Sequence, residues 1–223
     1  VAYAPSFGSM SLSLLHEDDI AKLRDFDSIS CREMDAASAL SSLLNRNVPV
    51  VFDPVFLTKK DEWLQFVDKT YKRNPYVFVY DLNARDNVLK IAREKFPDHE
   101  IVMYSNDPLG TVKMRGRGIS FVQGASVEDF LTLIYHSDAV VTDSFHGTAF
   151  SLIMEKDFYV YISLEKAAGR ITSLLECVGL RGRIVTIGNY FSPMPIDYSV
   201  VRERIERYID KSESFLIEAL DEK

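Results

Sequence analysis

The chain has 223 residues, 47% of them hydrophobic and 26% charged, which suits a globular protein of one or two domains and excludes a disordered or fibrous one. A formal charge of −7 and a pI near 5.2 argue against general nucleic-acid binding, yet leave room for a small anionic ligand held by local charge. No apolar run approaches the roughly 18 residues of a membrane span. No signal peptide is evident, and Cys31 and Cys177 lack metal spacing, so both read as reduced, buried thiols of a cytoplasmic protein.

Position 1 is Val, and "VAYA" reads as a strand already under way, so the sequence is expected to be part of a longer chain. "VAYAPSFGS" is a short strand entering a Gly/Ser turn. His16 follows in an acidic loop with Glu17, Asp18 and Asp19. "FDSISC" is a strand ending at Arg32, and 33–44 has helical spacing at Met34, Ala37, Leu40 and Leu44. "VPVVFDP" is a strand closed by Asp53-Pro54. A polar, helical stretch over 59–73 ends at Asn74-Pro75.

The pattern then becomes regular. "YVFVYDL" is a buried-type strand, 85–96 a helix with Val88, Ile91 and Ala92 on one face, and "EIVMYS" the next strand. An Arg/Gly loop, "KMRGRG", leads to the strand "ISFVQ". Ser126 and Asp129 form a capping box before a helix whose stripe is Val127, Phe130, Leu131 and Ile134. "DAVVTD" is a strand, 148–155 a helix, "DFYVYIS" a strand, 171–178 a helix and "GRIVTI" a strand. An amphipathic helix over 197–220 presents Val201, Ile205, Tyr208, Ile209 and Leu216. Short apolar strands alternating with helices predict an α/β fold, a mostly parallel sheet covered on both faces. The break near 59–75 divides the chain into a smaller front part, 1–70, and an α/β unit, 71–223.

Open α/β sheets bind ligands at the carboxyl ends of their strands. Arg32, the 143–146 turn and the 163–170 loop all fall at such ends. In "VVTDSFHGTAF", Gly147 lets the backbone turn closely without a side chain in the way. The helix that follows offers N–H groups and partial positive charge to an anion, with Ser144 and Thr148 adding hydroxyls. Asp143 is expected as the N-cap. His146 beside a helix N-terminus is biased towards its neutral form until an anion binds, which makes it a proton shuttle. The plain alternative is a histidine that merely sits in a turn. Arg32 is either an anion donor or one half of a surface ion pair with Glu33 or Asp35. Arg170, after Gly169 at a helix start, either reaches the same ligand or caps its helix. Lys166 is a weaker candidate, because Glu165 adjoins it. Trp63 and the Tyr/Phe-rich strands read as core rather than as a sugar platform.

"SVEDFLTLIYHSDAVVTDSFHGTAFSLIMEKDFYVY" closely resembles the polysaccharide pyruvyl transferase family, in which a Thr-Asp-Ser-Phe-His-Gly element at a strand end precedes a short apolar helix. "YAPSFGS", "FDSISCRE", "DPVFL" followed by Trp63, and "GRITSLLECVGLRGR" are similar to further family segments in the expected order, with Arg32 at the family's arginine. The resemblance implies a GT-B-like arrangement of two Rossmann-like halves, with 1–70 the C-terminal portion of a first domain that is incomplete at its N-terminus. It implies an additional N-terminal region with an Asn/Gly-rich motif in the full-length relatives. It also implies transfer of a pyruvyl group from phosphoenolpyruvate to a sugar or lipid-linked oligosaccharide, giving a cyclic ketal of a surface polysaccharide.

Phosphoenolpyruvate carries a carboxylate and a phosphate, so a site for it calls for arginine forks and helix N-termini, with no obligatory metal or other cofactor. Proton transfer near neutral pH calls for a histidine. On this expectation His146 and Arg32 are catalytic, while Arg170, Ser144, Thr148, Gly147 and Lys166 bind the donor. Membrane-surface association and oligomeric state stay open. Two other classes also stay open: a glycosyltransferase using a nucleotide sugar, for which Glu165 is the nearest ribose-binding carboxylate, and a non-catalytic carbohydrate- or partner-binding module.

Overall fold

The computed structural model describes residues 1–8, 14–82, 86–105, 118–162, 168–186 and 194–221. The chain folds into two compact units: Val1–Leu57, Ser163–Arg181 and Asp197–Lys223 form the first, Thr58–Ile162 and Gly182–Ile196 the second. The single cut near residue 70 expected from the sequence is therefore replaced by two units interleaved along the chain. The helices within 168–181 and 198–221 belong to the front unit, not to the sheet they follow.

The second unit is built on strands β1 (Tyr76–Asp81), β2 (Glu100–Ser105), β3 (Ile119–Val122), β4 (Ala139–Thr142), β5 (Asp157–Tyr161) and β6 (Ile184–Val185). All pair in parallel, in the order β3-β2-β1-β4-β5-β6. This is the Rossmann order, whose direction reverses between β1 and β4. Side chains alternate across β1 as strand geometry requires. Val77 and Val79 join Val88, Ile91 and Ala92 of the helix Asp86–Lys95 in one core layer. Phe78 meets the Phe130 ring of the helix Val127–His136 on the other face, at 6.2 Å between centroids. The parallel sheet thus has helices on both sides, as expected. Trp63 packs edge-on against Phe150 at 5.0 Å, in keeping with its reading as core.

The first unit holds three extended segments joined by isolated parallel bridges, Ala2 to Ile29 and Cys31 to Val50. The full strands expected there shorten to single bridges tied by a few backbone bonds, such as Val51 N–H to the Cys31 carbonyl at 2.9 Å. Two helices frame them: α1 (Glu17–Arg24) and α2 (Met34–Leu44). The acidic loop after His16 is in fact the first turn of α1, where Glu17, Asp18 and Asp19 complement the helix dipole. Only Lys60–Trp63 (α3) and a 3₁₀ turn, Leu64–Phe66, form in the 59–73 stretch, which lacks a continuous apolar stripe. Among the described residues the further α-helices are, in chain order, α4 (Asp86–Lys95), α5 (Val127–His136), α6 (Phe145–Ile153), α7 (Ala168–Cys177) and α8 (Tyr198–Asp221). Helix α8 returns to the first unit, where its Ser212 hydroxyl accepts from the Phe52 amide at 2.9 Å. No described helix is long and apolar enough to cross a membrane.

Candidate functional site

Each unit gathers polar residues at one strand edge. In the second, β4 ends at Thr142 beside β1, at the reversal of strand order where open sheets bind ligands. Thr142 donates its hydroxyl to the Tyr80 carbonyl at 2.6 Å and accepts from the Ser144 amide at 3.0 Å. Asp143 accepts from the Leu82 amide at 2.9 Å, so it ties the exit of β1 to the exit of β4 instead of capping a helix. Ser144 is the cap: its hydroxyl accepts from the Gly147 amide at 3.3 Å. Helix α6 accordingly starts at Phe145, three residues before the expected 148. Thr148 donates its hydroxyl to the Ser144 carbonyl at 2.9 Å and is fully buried. The two hydroxyls expected to meet a ligand therefore shape the turn.

Gly147 has a definite reason to be glycine. A Cβ there would lie 2.5 Å from Thr142 Oγ1 and 3.0 Å from the Tyr80 ring, so the close backbone approach read from the sequence is real and its neighbours are named. His146 is the second residue of α6. It is exposed between buried neighbours, with its ring edge-on to Phe145 at 5.5 Å. An imidazole in the first turn of a helix stands where N–H groups converge and the dipole favours an anion. The arrangement can hold a phosphate or carboxylate and exchange a proton with it.

In the first unit, the ends of the three extended segments bring Ser6, Arg32, Glu33 and Asp53 to one edge. Arg32 pairs with Asp53, and its side chain is only 16% exposed, so this is no surface ion pair. Asp53 also accepts from the Val55 amide at 3.1 Å, which fixes the carboxylate for the guanidinium. Glu33 is 2% exposed. One of its oxygens takes the Ser6 hydroxyl, while Oε2 is buried with no hydrogen-bond partner among the described residues. The start of α7 packs close by: a Cβ on Gly169 would lie 3.7 Å from Glu33 Cγ and 3.9 Å from the Asp35 carboxylate. Arg170 is thus in the first turn of α7, next to the segment that carries Arg32. Burial pushes the Cys31 thiol up to about 12, assisted by the charges of Glu33 and Asp35.

Beyond Arg170, the next two arginines are paired, Arg181 on Glu176 and the buried Arg183 on Asp157. Lys166, Glu165 and most of "KMRGRG" lie outside the described residues. Asp53 and Glu33 are the two carboxylates of the first unit's edge, and the sequence assigns neither a site role. A strand-closing Asp-Pro is the only hint of the first. The Ser-Phe-Gly element is the only hint of the second, since Ser6 is the hydroxyl that Glu33 accepts. Among the described residues no group of His, Cys, Asp or Glu is set to hold a metal ion.

The sheet order and the turn at its reversal point define a GT-B-like α/β protein. S. aureus MnaA, solved with UDP, shares this fold at a TM-score of 0.53 and 17% identity over 94% of the chain. The UDP-GlcNAc 2-epimerase from Neisseria meningitidis, solved with UDP-GlcNAc, matches 85% of the chain at 14% identity and a TM-score of 0.48. The chain spans 58% and 54% of these two structures. The chain belongs to the polysaccharide pyruvyl transferase family, whose model matches residues 1–163 and so takes in both edges up to the start of α7. No curated protein matches it in sequence.

Proposed function

We propose that the protein transfers the pyruvyl group of phosphoenolpyruvate to two hydroxyls of a sugar in a surface polysaccharide or its lipid-linked precursor. The observation that carries this is His146, exposed in the first turn of a helix at the reversal point of a parallel sheet, in a chain of this transferase family. Two sugar hydroxyls add to C2 of the donor, and two C–O bonds form. The C2–O bond to phosphorus breaks, C3 takes one of the hydroxyl protons and becomes a methyl group, and the other leaves with inorganic phosphate. No oxidant or reductant is needed.

His146 is the group that moves these protons, because an imidazole accepts and donates near neutral pH. The N-terminus of α6 favours the donor's negative charge. Arg32, held in place by Asp53, and Arg170 supply the guanidinium forks for carboxylate and phosphate. Ser144, Gly147 and Thr148 fix the turn that presents the imidazole. Lys166 is assigned to the donor from the family resemblance alone. The chemistry needs no bound cofactor, and the cytoplasm is where phosphoenolpyruvate is available.

Calorimetric titration with phosphoenolpyruvate tests the donor. Saturable binding that weakens about 10- to 100-fold in Arg32→Ala is expected from the loss of a charge-assisted contact. His146→Ala is expected to keep that affinity while phosphate release in the presence of acceptor falls about 10²- to 10⁴-fold. Binding of UDP-sugars in place of phosphoenolpyruvate would move the assignment to a nucleotide-sugar enzyme, the activity class of the fold neighbours.

A further inference from the structure

A pocket of about 180 Å³ opens in the second unit on the α5 face of the sheet. Its walls are Phe78 and Tyr80 of β1, Tyr104 of β2, and Ser126, Val127 and Phe130 at the start of α5. The sheet register explains its aromatic lining: Tyr80 and Tyr104 are direct partners on parallel strands, so both rings stand on one face near the carboxyl edge. Ser126 and Asp129 satisfy each other's backbone amides at the head of α5, at 3.1 and 2.9 Å. The pocket is therefore an aromatic site and not an anion site.

Its size and shape narrow the occupant. Pockets for drug-sized molecules run from roughly 300 Å³ upward, so this one takes a single ring. The rings of Tyr80 and Tyr104 lie 5.4 Å apart at 36°, and those of Tyr80 and Phe130 lie 4.8 Å apart at 54°. At these separations the rings pack on one another and form one continuous aromatic wall, along which an occupant lies. The apolar C–H face of a pyranose suits such a wall, and the sugar acceptor of the proposed transfer is the molecule that would bring one here. Val127, 60% exposed, forms an apolar lip. Tyr80 also joins the pocket to the histidine turn, since its ring lies against Gly147.

We infer that this pocket is an acceptor subsite that holds one pyranose ring of the sugar substrate, one aromatic ring away from the His146 turn. It rests on the transferase reading for the existence of a sugar acceptor, and adds which residues grip it. Saturation-transfer NMR tests it, with methyl glucoside, methyl galactoside and the methyl glycosides of N-acetylglucosamine and N-acetylmannosamine as probes, alongside uridine. At least one glycoside should show saturation of its ring C–H protons with the wild type and with Tyr104→Phe. Its affinity should fall about tenfold in Tyr104→Leu, the loss of one stacking contact.

Val127→Glu, an exposed substitution at a helix start where a carboxylate is tolerated, should weaken the same glycoside without touching the core. It decides the matter if Tyr104→Leu fails to fold. The inference is overturned if no glycoside is saturated, if neither variant changes the binding, or if uridine takes the pocket in a Tyr104-dependent manner. Loss of phosphoenolpyruvate binding with glycoside binding intact would sink the donor assignment and leave this subsite standing. The reverse result would do the opposite.

Discussion

At the edge of the first unit, Arg32 is held by the Asp53 carboxylate and Glu33 by the Ser6 hydroxyl. At the edge of the second, Thr142, Asp143 and Ser144 are held by backbone groups, the Tyr80 carbonyl and the Leu82 and Gly147 amides among them. The first edge keeps charge in place with charge, in surroundings that are largely dry. The second keeps a turn in place with short polar side chains that complete the backbone's own hydrogen bonding. An edge of the first kind fails when a partner is removed, because a buried charge is left behind. An edge of the second kind fails when volume is added, because nothing in it has room to move.

The largest effect should come from Asp53→Ala, which takes from Arg32 its carboxylate at a mostly buried position. A loss of about 3 kcal/mol is expected, read as a shift in the urea midpoint at constant slope. A loss under about 1 kcal/mol would place Arg32 with the weakly coupled surface pairs and dissolve the contrast. Gly147→Ala comes next: the added methyl group meets Thr142 Oγ1 and the Tyr80 ring, for a cost of about 2 kcal/mol. A neutral result would mean that the turn at the second edge is looser than its hydrogen bonds suggest. Ser144→Ala removes the cap of α6 and should cost about 1 kcal/mol. His146→Ala, at an exposed position, should stay within about 0.5 kcal/mol of the wild type, which separates its expected role in turnover from any role in folding.

Near neutral pH the smallest effect concerns Cys31, and it has a sign. Its folded-state value of about 12 lies above the ordinary 9.0. At pH 8 the native thiolate is then about one part in 10⁴, and a disulfide reagent should modify Cys31 only on unfolding, as mass spectrometry of the native and urea-treated protein would read out. Above pH 9 the unfolded thiol ionises and the folded one does not, so this group subtracts stability as the pH rises towards 12. Rapid native labelling would show that the first edge is open to solvent.

The alternation of short apolar strands with helices is enough to read the second unit, because its central strands β1 and β4 are buried on both faces and α4 and α5 each carry a clear stripe. The capping box at Ser126 and the β2 boundaries are found where the pattern puts them. The front unit is harder. Its extended segments form single bridges, and their length depends on partners far along the chain that periodicity cannot show. The turn at 142–148 is recognisable as a unit, yet its cap reads as Asp143 because carboxylate and hydroxyl compete for the same role and only geometry decides between them. Ion pairing is equally opaque. Glu33 adjoins Arg32 in sequence and Asp35 lies in the first turn of α2, but Asp53 arrives from the next extended segment, which adjacency along the chain cannot show. Val127 reads as part of the stripe of α5 and instead lines a pocket, since the first residue of a helix often projects past the core it leads to.

The return of α8 to the first unit bears on how the protein is made. A ribosome releases Thr58–Ile162 before it reaches 197–223, so most of the second unit's sheet is complete while the first unit still lacks its last helix. The Phe52 amide must wait 160 residues for the Ser212 hydroxyl that it donates to. Segment 1–57 therefore stays half-assembled while most of the second unit is made, and is finished only when 197–223 emerge.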